Sequence, residues 1–445
     1  MEQFERKSLF KLTYPLFLYS ALSIAVTFVD QILLSNYSEN LAAAVSLANQ
    51  ILGVAYDVSG LFAVGALVIM SQYLGRNEVE KAKSVAIASI QASFLLCLLI
   101  AAVLMIGASY FADMVGAPSE IRSDVIIYVH IIALAMIFNG AIVSCTAALR
   151  GFGHTLSIFV LGILANVLYL VLEYGLIYGK FGFPELGVYG AALSTLIVRI
   201  GMIGFLLFVL SYYVKINIFQ RVSDFLPSLK KITKLSYPSV GEGMAYNIYQ
   251  LVMVSLISVL GTGAVLVRSY SLTIGSLLST IHYVIAQGNE ILIGYDCGAK
   301  DSEAAYRRAI KTSLITAGVS VVLSIVLYVF SDTLVGLFTD QLDIKAGVSD
   351  ILFVAIFIAP MNAINQIFFT SLKATGDVNR PVLWNLSLTF ALALPLGFLF
   401  VRHFELGVVG LWYVYLIEET VKAGVLSVLW FRKNWIRYFP LDSAN

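Results

Sequence analysis

The chain has 445 residues, of which 59% are hydrophobic and only 12% charged, with a mean hydropathy of +0.88 and a formal net charge of +1. A soluble domain cannot hide that much apolar surface in a core, so a soluble enzyme or binding module is excluded and a polytopic membrane protein remains. The balanced charge selects no partner, and no nucleic-acid partner is expected. The three cysteines, Cys97, Cys145 and Cys297, have neither metal nor redox spacing and read as small packing residues.

In chain order, Met1–Lys11 is polar and lacks a small-residue cleavage site, so the first span is expected to be retained. Apolar stretches of the ~20 residues needed to cross the hydrocarbon fall at 12–34, 45–74, 86–111, 125–148, 156–178 and 187–214. The basic stretch Lys215–Lys234, containing Pro227, reads as a linker, and further spans follow at 235–260, 264–294, 310–330, 350–372, 381–401 and 406–430. The predicted fold is all-α: twelve transmembrane helices in two parallel six-helix repeats, an N-lobe at 1–214, a linker at 215–234, a C-lobe at 235–430 and a tail at 431–445. Of the 28 Lys and Arg, 21 fall on the side holding both termini, against Arg122, Lys180, Lys345 and Arg402 on the other. Basic loops stay inside, which predicts a multi-pass protein of the cell (inner) membrane with both termini cytoplasmic.

The halves repeat. Lys11-Leu12-Thr13-Tyr14-Pro15 returns as Lys234-Leu235-Ser236-Tyr237-Pro238, Gly75 as Gly298, and Leu149-Arg150-Gly151-Phe152-Gly153 as Leu372-Lys373-Ala374-Thr375-Gly376, all at a spacing of 223 residues. Leu186-Gly187-Val188-Tyr189-Gly190 meets Leu406-Gly407-Val408-Val409-Gly410 at 220. Six spans per half give both halves one orientation, and two such bundles around a cavity form the architecture of alternating access.

Ionisable groups inside a bilayer cost about 2.5–3.5 kcal/mol on insertion scales and usually face a cavity or a partner. On the first span Tyr19, Ser23, Thr27 and Asp30 make a polar stripe; on the fifth Asn166, Tyr169 and Glu173 share one face. At 1.5 Å per residue Asp30 lies about 22 Å above Pro15, and Glu173 reaches a similar depth, so the two acids can converge. Asp57 on the second span and Thr195 and Arg199 on the sixth complete the set, Arg199 being able to pair with Asp57 or Glu173. The second half places its acids elsewhere: Glu242, Tyr246, Tyr249 and Gln250 on the seventh span, and His282, Tyr283, Gln287 and Glu290 on the eighth. His282 reads as a packed histidine, and Glu418 and Lys422, at i and i+4, as a structural pair. The 24 tyrosines exceed what interfacial belts need, so some are expected to line a cavity, where ring faces attract cations.

Taken together, Pro15 to Asp30, Ser71-Gln72-Tyr73-Leu74-Gly75, Leu149-Arg150-Gly151-Phe152-Gly153, Asn166 with Leu172-Glu173-Tyr174, Leu186 to Thr195, and Pro238-Ser239-Val240-Gly241-Glu242 resemble the multidrug and toxic compound extrusion (MATE) transporters over essentially the whole chain. The resemblance implies a V-shaped antiporter driven by protons or sodium, with Asp30, Asn166, Glu173 and Thr195 as the N-lobe cation-coupling site and Glu242 as the acid of the seventh helix. Glu173 stands where the family usually has aspartate, and Tyr169 where a second asparagine is usual. A sodium shell needs short oxygen ligands, whereas a proton needs only a buried carboxylate, so H+ is expected over Na+.

The leading expectation is therefore a secondary antiporter that exports amphipathic, cationic small molecules, with substrate contacts at Asp57, Arg199, Glu242, Tyr246, Gln250, Tyr283, Gln287 and Glu290. It needs no cofactor and no metal, works as a monomer, and has an organic small molecule and membrane lipid as partners. A lipid-linked oligosaccharide or lipid flippase of the same superfamily is the alternative, disfavoured because the intramembrane charge is mostly acidic rather than cationic. An intramembrane enzyme would need a nucleophile–base pair or a metal cluster, and the sequence displays neither.

Overall fold

In the computed structural model, which describes residues 6–220, 222 and 224–438, the chain is almost wholly helical. Residues 1–5 and 439–445, the second part of the tail predicted at 431–445, lie outside the described residues. Twelve long helical segments are described: α1 (Leu9–Tyr37), α2 (Glu39–Gly75), α3 (Val79–Met114), α4 (Arg122–Gly151), α5 (Thr155–Tyr178), α6 (Val188–Val214), α7 (Phe225–Ser258), α8 (Thr262–Gly298), α9 (Ser302–Val329), α10 (Leu342–Ala374), α11 (Asn379–His403) and α12 (Gly407–Phe431). Each predicted span corresponds to one of them. Ten are long and apolar enough to cross a membrane by length and composition. The other two, α7 and α12, are the ones carrying Glu242 and the Glu418, Glu419 and Lys422 cluster. One difference from the sequence reading is a break in the second span, where Gly60 separates Glu39–Ser59 from Leu61–Gly75.

Besides a buried apolar core in each unit, the molecule exposes large apolar side chains and buries hydroxyls. Ile106 of α3 is 89% exposed while serines sit inside: Ser93 lies 2.7 Å from Ser144 of α4, and Ser89 donates to the same oxygen at 3.1 Å. Lipid gains nothing from hiding leucine, so these helices meet through small residues and hydroxyls while their apolar sides face outward.

The chain forms two compact units, Met1–Val240 and Gly241–Asn445. The boundary lies inside α7, and the last ten residues of the stretch read as a linker, 225–234, are already helical. Ser236 packs on α2: its Oγ accepts the Gly65 N–H at 2.8 Å, and a Cβ at Gly65 would sit 2.3 Å from the Ile232 carbonyl oxygen.

The internal repeat is visible in the backbone of each unit. Asn77 and Lys300 take left-handed φ values of 60° and 61°, Gly153 and Gly376 of 77° and 96°, and Gly187 and Gly407 of 51° and 59°. Chain reversals at matching places therefore use the same dihedrals, and glycine occupies two of the three pairs because it alone takes positive φ at little cost.

Candidate functional site

In the first unit, α1, α2, α4, α5 and α6 wall a cavity of about 600 Å³. The α1 stripe of Tyr19, Ser23, Thr27 and Asp30 lines it, joined by Asn166 and Tyr169 of α5 and Thr195 and Arg199 of α6. Gly162 makes room for α1, since a Cβ there would lie 2.2 Å from the Tyr19 ring. At the centre stands Tyr169, whose hydroxyl lies 2.9 Å from Asp30 Oδ1 and 3.0 Å from Glu173 Oε1. Glu173 has no exposed surface, and its carboxyl lies against that of Asp30 as well as the Tyr169 hydroxyl. The structure thus brings Asp30 and Glu173 to one group, and that group is the tyrosine at the position where the resemblance leads one to expect asparagine.

Arg199 is held on the opposite wall. Its guanidinium donates to Asn139 Oδ1 and, at 3.3 Å, to Tyr56 Oη, and its centre lies 5.2 Å from the Tyr56 ring centroid. Asn139 passes the chain on by donating to Ser59 Oγ at 2.6 Å. Asn139 and Tyr56, together with the cavity-lining Asn49 and Tyr128, did not enter the sequence-derived set. Asp57 is on the exposed side of α2.

In the second unit a cavity of about 310 Å³ is walled by α7, α8, α9, α10 and α12. Tyr246 and Gln250 line it; Gln250 donates to Tyr246 Oη at 2.5 Å and accepts from Arg268 at 2.8 Å. The other candidates of this half do not line that cavity. Glu242 accepts from Asn385 at 3.1 Å, Tyr283 is 56% exposed, Gln287 is part-buried, and Glu290 is buried. The cavity's charged groups come from α12. Glu418 and Lys422 form an ion pair of 2.7 Å, Glu418 also accepts from Thr389 at 2.7 Å, and Glu419 accepts from Asn365 at 2.9 Å.

Both partners of the Glu418–Lys422 pair are buried, so removing one leaves an uncompensated charge, at a cost of roughly 3–5 kcal/mol. Lys422→Met is expected to lower the thermal midpoint of detergent-purified protein sharply, and adding Glu418→Gln should recover part of the loss. Equal midpoints for the single and double variants would show that the pair is not coupled. Among the described residues no cluster of three or more metal-type ligands occurs.

The MatE family model matches the chain twice, at residues 15–175 and 238–399, one match in each half. The uncharacterized transporter YisQ of Bacillus subtilis (strain 168) is 32% identical over 432 residues, covering 97% of this chain and 95% of the relative. The multidrug resistance protein NorM of Photobacterium profundum is 24% identical over 420 residues, covering 89% and 87%. Among solved structures, a Vibrio cholerae MATE transporter, VcmN, superposes with a TM-score of 0.89 at 18% identity over 96% of this chain and 97% of that one. An outward-facing multidrug resistance MATE family transporter of the MOP superfamily does so with 0.85 at 19% identity, covering 96% and 95%. With an all-helical two-unit fold, a polar cavity in each unit and a family match repeated in both halves, the chain belongs to the MatE family of multidrug and toxic compound extrusion transporters, multi-pass proteins that move small molecules across a membrane.

Proposed function

We propose that this transporter exports amphipathic organic cations in exchange for protons, with Asp30, Tyr169 and Glu173 as the coupling site and Asn166 and Thr195 as its polar surround. The observation that carries the reading is a hydrogen count. Tyr169 has one hydroxyl hydrogen and two carboxyl oxygens within 3.0 Å. It donates to one; with both acids ionised the other contact, and that between the two carboxyls, has no hydrogen, so one proton on the acid pair completes the set. A proton therefore has a defined seat, and its loss places two carboxylates around one hydroxyl, a like-charge arrangement that weakens the α1–α5 contact. Proton release is in this way tied to a change in how two helices meet.

Organic cations are the favoured cargo because the second unit's cavity is lined by two carboxylates, Glu418 and Glu419, against one cation, Lys422, amid Tyr246 and Tyr249, whereas the first unit's lining sets Asp30 beside Arg150 and Arg199. Carboxylates attract a cation by charge and tyrosine faces by their quadrupole. The test is dye export by purified protein in vesicles under separate gradients. Export driven by a proton gradient and indifferent to sodium is expected; export driven by sodium alone would overturn the proton reading, and translocation of a lipid-linked oligosaccharide would move the protein to the flippase class.

The same reading places both termini and the 215–234 connection in the cytoplasm. Asp224 is exposed and the three native cysteines are buried, so Asp224→Cys offers a selective label. An impermeant thiol reagent is expected to reach it only after the cells are opened. Labelling in intact cells would reverse the topology.

A further inference from the structure

His282 of α8 is 2% exposed, yet it lines the second unit's cavity and both of its ring nitrogens are engaged. Nδ1 lies 3.0 Å from Asn362 Oδ1 of α10, and Nε2 lies 2.6 Å from Ser320 Oγ of α9. The Asn362 amide presents its oxygen to the imidazole, and the Glu419 carboxylate, which lines the same cavity, is held by Asn365 at 2.9 Å. An amide oxygen only accepts, so Nδ1 carries a hydrogen. Ser320 is different. Its hydroxyl also lies 2.6 Å from the Thr316 carbonyl oxygen, so its single hydrogen has two possible destinations.

Two complete hydrogen-bond arrangements follow. With a neutral ring, the Ser320 hydroxyl donates to Nε2. With a charged ring, Nε2–H donates to Ser320 Oγ and the hydroxyl turns to the Thr316 carbonyl. No heavy atom moves between them and no polar atom of the set is left without a partner in either. A histidine packed for structure alone needs only one such arrangement, because the other protonation state is then penalised by an unmet group. Here the charged state has a counter-charge as well: the Glu419 carboxylate lines the same cavity as the ring and Asn362.

We propose that His282 is a proton-binding site of the second unit, separate from the Asp30–Tyr169–Glu173 cluster, that takes up one proton from solvent through the adjoining cavity. The groups that line the cavity with His282 are Tyr415, Glu418, Glu419 and Lys422 from α12 and Tyr246 and Tyr249 from α7; Arg268 of α8 stands behind this lining and holds Gln250. Among the described residues lining the cavity, α9 and α10 contribute no charged side chain. The carboxylates favour the charged ring and the two cations oppose it. Proton binding here does not depend on which cargo or gradient the first unit uses.

The test is a nitrogen NMR titration of full-length protein labelled at histidine, from about pH 8 to about pH 5.5, the range in which histidine changes charge. The chain has four histidines, and the His282 signals are those lost in His282→Gln. Both ring nitrogens of His282 are expected to pass reversibly to the doubly protonated form. In Asn362→Leu, which removes the Nδ1 acceptor but leaves Ser320, the ring should stay singly protonated throughout. A wild-type ring that keeps one form over the whole range overturns the proposal, as does an unchanged titration in Asn362→Leu; should that variant fail to fold, the wild-type titration alone decides.

Discussion

Glu173→Gln is expected to abolish cation export driven by a proton gradient, by about 100-fold or more, a size typical of losing a positioned proton-transfer group. Glutamine keeps the length and can still meet the Tyr169 hydroxyl, so folding should be intact, but an amide can neither hold nor release the proton that the two contacts of 2.9 and 3.0 Å call for. Asp30→Asn should behave alike. Tyr169→Phe separates two roles: both carboxyls remain and can still bind a proton, while the hydroxyl joining them is gone, so a partial loss of roughly tenfold is expected, equivalent to about 1.4 kcal/mol. Export rates in vesicles, with purified protein quantified by size-exclusion elution, check all three. Wild-type export by Glu173→Gln would place the coupling site elsewhere.

A second large effect on stability is expected from a single methyl group. Gly190 opens α6 against the end of α5, where a Cβ would lie 2.5 Å from the Leu176 carbonyl oxygen and 2.9 Å from the Ile177 nitrogen. Those are backbone atoms and cannot rotate aside, so the helices must separate. Gly190→Ala is expected to destabilise the first unit by about 3 kcal/mol, the upper end for overpacking. Its counterpart Gly410 meets the Leu406 Cβ at 2.8 Å and the Phe400 oxygen only at 3.3 Å, so Gly410→Ala should cost about 1 kcal/mol. Thermal midpoints of the two variants give the comparison. A smaller loss for Gly190→Ala than for Gly410→Ala would show that this contact does not hold the helices.

The helices were legible because twelve apolar runs of membrane-spanning length need no tertiary context. The repeat was legible because its motifs mark chain reversals, and those reversals do share left-handed dihedrals at Asn77 and Lys300, Gly153 and Gly376, and Gly187 and Gly407. Counting rise per residue put Asp30 and Glu173 at one depth, which is why their convergence could be foreseen. The part of Tyr169 could not be, since whether a phenol bridges two acids depends on side-chain placement that spacing does not encode. On α8, neighbours such as His282 and Tyr283 point about 100° apart, so a polar run around the helix did not say which residue faces the cavity: His282 does, while Tyr283 is exposed. The partners of His282 lie 38 and 80 residues away in the chain, beyond any local pattern. The charge of Lys215–Lys234 read as a linker, although the backbone is helical from Phe225 and Ser236 is buried against Gly65.

The claim that a proton and the cargo exchange at the first unit's tyrosine-bridged acids is tested most directly by counting protons. A saturating cationic dye is added to purified protein in weakly buffered detergent solution near neutral pH, and proton release is read with a pH indicator. Release of about one proton per molecule by the wild type is expected, with none in Glu173→Gln despite retained dye binding. Dye binding without proton release in the wild type, or an unchanged release in Glu173→Gln, would contradict it.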